Sequence, residues 1–331
     1  MAASGLALDQ VGERNRAGAQ HSRLARRDWA TGFLLILPAA VILGVFHLFG
    51  IAYLVYVSTF KWAINPEAFL GTGNYASLAH DADFGLALLQ TVFFVVGTVP
   101  FEMAIGVVLA VLLFREIAAR GFYRVIYFLP YVTSAVAVGV IFRWIFNGNG
   151  LANSILELLG LPKQKWLLES TGVFQLIAGH FGLQIPDWAG GPSQALVAIM
   201  AATIWSATGF QVVLFLAGLS AIPTEVYEAA RIDGATEWQI TRRITLPLLR
   251  PTIVFVATIS TIFAFRSFSQ VYQMSQPNAG GPINSTQLAT IFIFNQFYRY
   301  SHVGYAAAAS LIVFVIILAM TLTNRRRLAP S

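Results

Sequence analysis

Long apolar runs alternate with short polar or charged stretches along the chain. A membrane-spanning helix needs about 20 mostly apolar residues. Six runs meet that requirement, at 30–58, 86–114, 122–146, 195–220, 250–273 and 303–324, and the fourth and sixth carry no charge. A seventh apolar piece, Val173 to Ile185, contains His180 and two glycines and is too short to span. It reads as an interfacial or re-entrant segment. The pattern therefore predicts an all-α, polytopic membrane protein with six transmembrane helices. Pro38, Pro100 and Pro130 fall inside three of the runs. Each removes a backbone donor and favours a kink, as a packing bend or as a hinge.

Composition agrees with this pattern. The chain has 331 residues, of which 57% are hydrophobic and 11% charged. A soluble domain carries about 25% charged residues. The net charge of +6 would suit nucleic acid, but the positions of the charges exclude that reading, because they flank the apolar runs. With the N-terminus inside, fifteen of the 21 Lys and Arg fall in inside segments. The outside loops hold Lys61, Lys163, Lys165 and Arg299. Positive charge marks the cytoplasmic side, so both termini of this multi-pass protein are expected in the cytoplasm. The domain plan is a cytoplasmic tail at 1–28, a transmembrane domain at 29–324 and a short cytoplasmic tail at 325–331. An inside loop at 221–249 and an outside loop at 147–194 are its largest interruptions. The first run is too long for a signal-peptide core and is read as a retained span. There is no cysteine, which excludes disulfides, thiolate catalysis and cysteine-bound metal.

The inside loop is the longest charged stretch of the C-terminal half. Pro223-Thr224-Glu225 reads as a helix start, with Thr224 as N-cap and an acid in the first turn. That helix is expected to end near Ile232, where Asp233-Gly234 breaks it. Thr236 and Gln239 form a capping box for a second helix, expected to stop near Leu246 before Pro247. Glu228 can reach Arg231 one turn on. On local physics alone, such a loop could simply lie on the membrane surface.

The order Glu228-Ala229-Ala230, three residues, Gly234, nine residues, then Ile244-x-Leu246-Pro247 resembles the EAA loop of permease subunits in binding-protein-dependent ABC importers. Flanking motifs extend the resemblance over most of the chain, toward the carbohydrate-uptake subgroup of the maltose and glycerol-3-phosphate systems. They include Phe69-Leu70-Gly71 with Gly73-Asn74-Tyr75, Phe128-Leu129-Pro130, Ala217-Gly218-Leu219, and Gly280-Gly281-Pro282. Two positions depart from it: Gln90-Thr91 stands where Asn-Thr is usual, and Thr241 where Phe is frequent. The resemblance implies a type I permease fold and a loop that docks on a cytoplasmic ATPase. In that role Glu228 is the charged contact, Ala229 and Ala230 a close-packing face, and Asp233-Gly234-Ala235 the bend. Ile244, Leu246 and Pro247 close the motif, and Trp238 or Ile240 would supply the apolar contact missing at Thr241. The implied partners are a second permease subunit, two ABC ATPase subunits, an extracytoplasmic solute-binding protein and the lipid membrane, with no nucleic acid and no cofactor. The implied cargo is an oligosaccharide, a monosaccharide or a sugar-phosphate-like solute.

Polar groups inside the spans are candidates for a transport path, because charge facing lipid is costly. They are His47, Glu102, Arg143 and Arg266, with Gln270 and Asn295 near the outer ends. Arg266 either lines the path or pairs with Glu102. Arg143 could snorkel to the outer surface, and His47 is read as a packing residue. No metal-ligand spacing and no phosphate-cradling Gly-rich Lys motif is present, so ATP must be hydrolysed by another chain. A proton-coupled transporter using Glu102 and Arg266, or an intramembrane enzyme, are the rival readings. Neither explains the 224–250 pattern.

Overall fold

The computed structural model describes residues 31–63, 65–114, 120–186 and 189–326. The expected tail at 1–28 lies outside the described residues, as do 29–30, Ile64, 115–119, Asp187, Trp188 and 327–331, whereas the first two residues of the tail expected at 325–331 belong to the last helix. The chain divides into two units, Met1–Val57 and Ser58–Ser331. The first unit is described by most of helix α1, Thr31–Ser58, which contains an 18-residue stretch of mean hydropathy 2.5. A π-helical stretch at Gly44–Phe49 interrupts it and contains His47.

The second unit opens with a small hairpin that the apolar pattern did not announce. Strand β1, Phe60–Trp62, pairs antiparallel with β2, Pro66–Phe69. The motif after it then ties the hairpin down. Asn74, on the short helix α2 at Gly73–Ala79, donates through Nδ2 to the carbonyls of Ser58 at 2.8 Å and Phe60 at 2.9 Å. Gly71 takes a φ of +57°, open to glycine without strain.

Helix α3, Ala82–Phe114, falls on the second apolar run. Asp81 starts it by accepting from the Phe84 N–H at 3.0 Å. The third run is broken. Helix α4, Arg120–Val132, ends just past Pro130, and α5, Ala135–Ile145, continues at 93° to it. The kink expected from proline is thus a full corner, with Ser134 in an extended conformation between the two pieces. Among the described residues the 147–194 loop carries two short α-helices, α6 at Leu151–Leu158 and α7 at Val173–His180. The seventh apolar piece is therefore one short helix. Asn153, 1% exposed, organises this loop by bonding to the backbone of Gly148 and Gln164 and accepting from the Trp166 ring N–H at 2.8 Å.

Helix α8, Gln194–Ser220, falls on the fourth run and is capped by the Ser193 hydroxyl. Next come α9 at Thr224–Ile232, α10 at Glu237–Leu248 and α11 at Arg250–Phe265, the last bent 63° from α10. The fifth run, expected as one span over 250–273, is interrupted: α11 stops at Phe265 and α12, Ser269–Met274, resumes after a break. Helices α13, Ala289–Phe294, and α14, Val303–Arg326, complete the chain. Among the described residues, four helices are long and apolar enough to cross a membrane, or up to six when each bent pair counts as one span.

Glycines set the helix contacts of the core. A Cβ at Gly97 would lie 2.6 Å from the Met200 sulfur, and one at Gly106 would lie 2.6 Å from the Gln211 Cβ. So α3 and α8 approach as closely as small residues permit. Around that pair, Phe94, Leu196, Ile199, Phe265, Met274 and Ile291 form one apolar cluster, and Leu113, Phe215, Leu219, Leu249 and Val256 form another nearer the 221–249 loop.

Candidate functional site

The 221–249 loop folds as two helices meeting at a glycine. The first helix starts at Thr224, but its cap residue is Pro223 and no side chain caps it, so Thr224 is not the N-cap expected. Asp233 ends that helix, and Gly234 takes a φ of +77° with nothing within 4 Å of a would-be Cβ. The bend is therefore imposed by backbone conformation and not by crowding. Across it, Thr236 and Gln239 form the reciprocal capping box of α10. Pro247 does not end that helix. A π-helical turn at Thr241–Thr245 precedes it, and the Thr245 hydroxyl donates to the Ile240 carbonyl at 3.3 Å. The wide turn gives room to the carbonyl that a proline ring would otherwise strike one turn back.

The charges on the loop are not paired as expected. Arg231 reaches over the bend to Glu237, with Nε to Oε1 at 3.3 Å. That leaves Glu228 exposed and outside any ion pair among the described residues. Ala229 is exposed and Ala230 is buried, so the two alanines do not share one face. Ile240 is 3% exposed and cannot meet a partner, whereas Trp238 is 69% and Ile232 86% exposed. Ile232, which motif reasoning passed over, is thus the second apolar side chain at the tip. Asp233 and Pro247 are exposed, while Ala235, Ile244 and Leu246 are half-buried. Behind the loop, a cleft of about 680 Å³ is bounded by Phe114, Tyr227, Glu228, Arg231 and Thr241.

The polar residues of the spans separate into a buried set and an exposed one. Glu102 on α3 is 4% exposed and accepts from Gln211 Nε2 at 3.0 Å. The same nitrogen donates to Ser260 Oγ at 2.6 Å. Three helices, α3, α8 and α11, are joined by this triad. No ion pair joins Glu102 to Arg266 among the described residues. Arg266 instead caps α11 and is exposed. Gln270 is 6% exposed and accepts from Ser206 Oγ at 3.3 Å, while its amide nitrogen has no partner. Asn295, 5% exposed, donates to the Ala279 carbonyl at 3.2 Å. Glu102, Gln270 and Asn295 therefore brace the interior of this chain, and only Arg266 of the four offers its side chain outward. Sequence reasoning missed Gln211 and Ser260. The available signal was a lone amide, Gln211, in the middle of an uncharged run. Among the described residues no group of three His, Cys, Asp or Glu could hold a metal ion.

Residues 102–327 match the family described as binding-protein-dependent transport system inner membrane component. The chain belongs to this family. The permease is 31% identical over 303 residues to the lactose transport system permease protein LacF of Rhizobium radiobacter, covering 91% of this chain and 95% of LacF. It is 33% identical over 300 residues to the arabinooligosaccharides transport system permease protein AraP of Bacillus subtilis, covering 89% of this chain and 87% of AraP. Its fold matches a bacterial alginate ABC transporter crystallised with an alginate pentasaccharide-bound periplasmic protein. That match has a TM-score of 0.73 at 21% identity, over 92% of this permease and 97% of that chain. The permease is thus a transport subunit of a binding-protein-dependent ABC importer with the type I permease fold, a multi-pass membrane protein and not an enzyme.

Proposed function

We propose that this permease moves a saccharide across the cytoplasmic membrane by alternating access, driven by ATP hydrolysed on a partner that docks at the 221–249 loop. The observation that carries the reading is the loop itself. Its motif residues build two helices bent at Gly234, with Glu228, Ile232 and Trp238 exposed around the bend. A carboxylate flanked by two large apolar side chains, on a helical frame, has the make-up of a docking knob. Closure of the ATPases would move α9 and α10, and α11 would carry that motion into the bundle. The full assembly in this reading is this chain, a second permease subunit, two ATPase subunits and a solute-binding protein outside. The names of LacF and AraP support a saccharide cargo. The periplasmic protein held by the alginate transporter supports an external binding protein. The distribution of Lys and Arg supports cytoplasmic termini.

The test is uptake measured beside ATPase co-purification in the same membranes. A charge-assisted contact through Glu228 is worth roughly 1.5–3 kcal/mol, so Glu228→Ala should weaken docking about tenfold or more. Gly234→Val forces a side chain into a left-handed conformation at about 1–2 kcal/mol and should misdirect α9 against α10. Both variants should insert normally yet lose uptake, with the ATPase released or hydrolysing without transport. Normal uptake with both substitutions present would sink the docking role.

A further inference from the structure

We infer that the solute is anionic, a saccharide carrying carboxylate groups. The inference rests on the reading of this chain as a saccharide permease and places Arg266 on its path. Helix α11 has two faces. Val256, Ser260 and Ala264, spaced by four, are buried. Phe263 is half exposed, and Arg266, three residues on, lies on the same side, turned away from the buried stripe. With α11 beginning at Arg250, Arg266 sits roughly 24 Å along the helix, within the outer half of a hydrocarbon core about 30 Å thick. A guanidinium at that depth does not face lipid without cost; it faces protein or water.

Arg266 is held on a fixed corner. Its own N–H bonds to the carbonyls of Ile262 and Phe263, both at 3.2 Å. Thr290 Oγ1 donates to the Ser267 carbonyl at 2.6 Å and secures the break that follows. Four residues on, in α12, is the buried Gln270. Helix α5 packs closely on that turn: a Cβ at Gly139 would lie 3.2 Å from the Gln270 carbonyl oxygen. Arg143 stands one turn on from Gly139 on the same side of α5 and is exposed. Two exposed arginines, Arg266 and Arg143, thus lie on elements that pack together around Gln270, and no carboxylate forms an ion pair with either arginine among the described residues. Guanidinium groups without acceptors are complementary to anions. The surface beside Arg266 suits sugar rings. Tyr131 and Phe210 stack at 4.9 Å, and Phe210 lies 6.0 Å from Phe263, a wall of three rings drawn from three spans.

The test uses the complete transporter in proteoliposomes with its solute-binding protein. ATP-driven uptake is compared for neutral maltose to maltopentaose and for carboxylated di- to pentagalacturonate. Uptake of the carboxylated series is expected. Arg266→Gln should raise its KM by at least about tenfold, the loss of one charge-assisted contact. Arg266→Lys should recover part of that loss, which a purely structural role would not allow. Uptake of the neutral series alone would overturn the inference and leave the saccharide reading intact. If neither series moves while the ATPase remains docked, the saccharide reading itself fails.

Discussion

A buried carboxylate inside a membrane needs donors, and Glu102 obtains them from Gln211 and the Ser260 region. The acid was legible in the sequence, because an acidic residue in an apolar run is conspicuous. Its partner was not, because an amide or a serine in a span satisfies itself in many ways, and which helices meet is a property of packing. The Glu102–Arg266 alternative failed for the same reason: Ser260 is on the buried face of α11 and Arg266 on the other. Replacing Gln211 by Leu removes the shared donor and leaves Glu102 under-bonded, at a cost of about 1–3 kcal/mol. The thermal transition of the purified protein should fall by several degrees. Adding Glu102→Gln should restore part of it, since a neutral amide is less costly to bury than an unpaired charge. Strictly additive losses in the double variant would show that the two residues do not act together.

At the level of elements, local signals were read well where the chain decides locally. The capping box at Thr236 and the break at Gly234 depend on neighbours within a few residues, and both are in place. Reading Pro247 as a stop failed because a π turn before it absorbs the proline. Pro130 announced a kink but not the full corner after Val132, and the break after Phe265 was not anticipated although Arg266 stands at it. Hydropathy reports what a segment is immersed in and says little about whether its axis is straight. Glycine illustrates the two kinds of constraint. Gly234 is required for its φ and has open space around it, whereas Gly139 is required for space, since a Cβ there would also lie 2.7 Å from the Gln273 Cβ. Gly139→Leu should therefore part α5 from α12 and lower the yield of folded protein in detergent, as judged by size-exclusion profile. An unchanged profile would mean that this contact yields easily and that the outer corner of the fifth run is soft.

For the whole molecule, the placement of the positive charges predicts sidedness, and the absence of native cysteine makes it directly measurable. A cysteine at Lys163, exposed in the outside loop, should react with an impermeant maleimide in intact cells freed of their outer barrier. A cysteine at Glu225, exposed at the start of α9, should react only after the membrane is opened. The reverse pattern would invert the permease and remove the loop from the side where ATP is found.

The elbow at Gly234 has one more implication. Arg231 and Glu237 bridge it, and Leu249, 1% exposed, anchors the far end of α10 in the bundle. A rigid link transmits in both directions. In a linked equilibrium, whatever the nucleotide does to the outer gate, cargo at the outer gate must do in return to the nucleotide. Under the proposed docking, a stiff elbow makes the transporter thrifty: its motor idles when nothing waits outside and turns over when a loaded carrier arrives. Loosening the joint would uncouple the two, and the cell would burn fuel with nothing brought in.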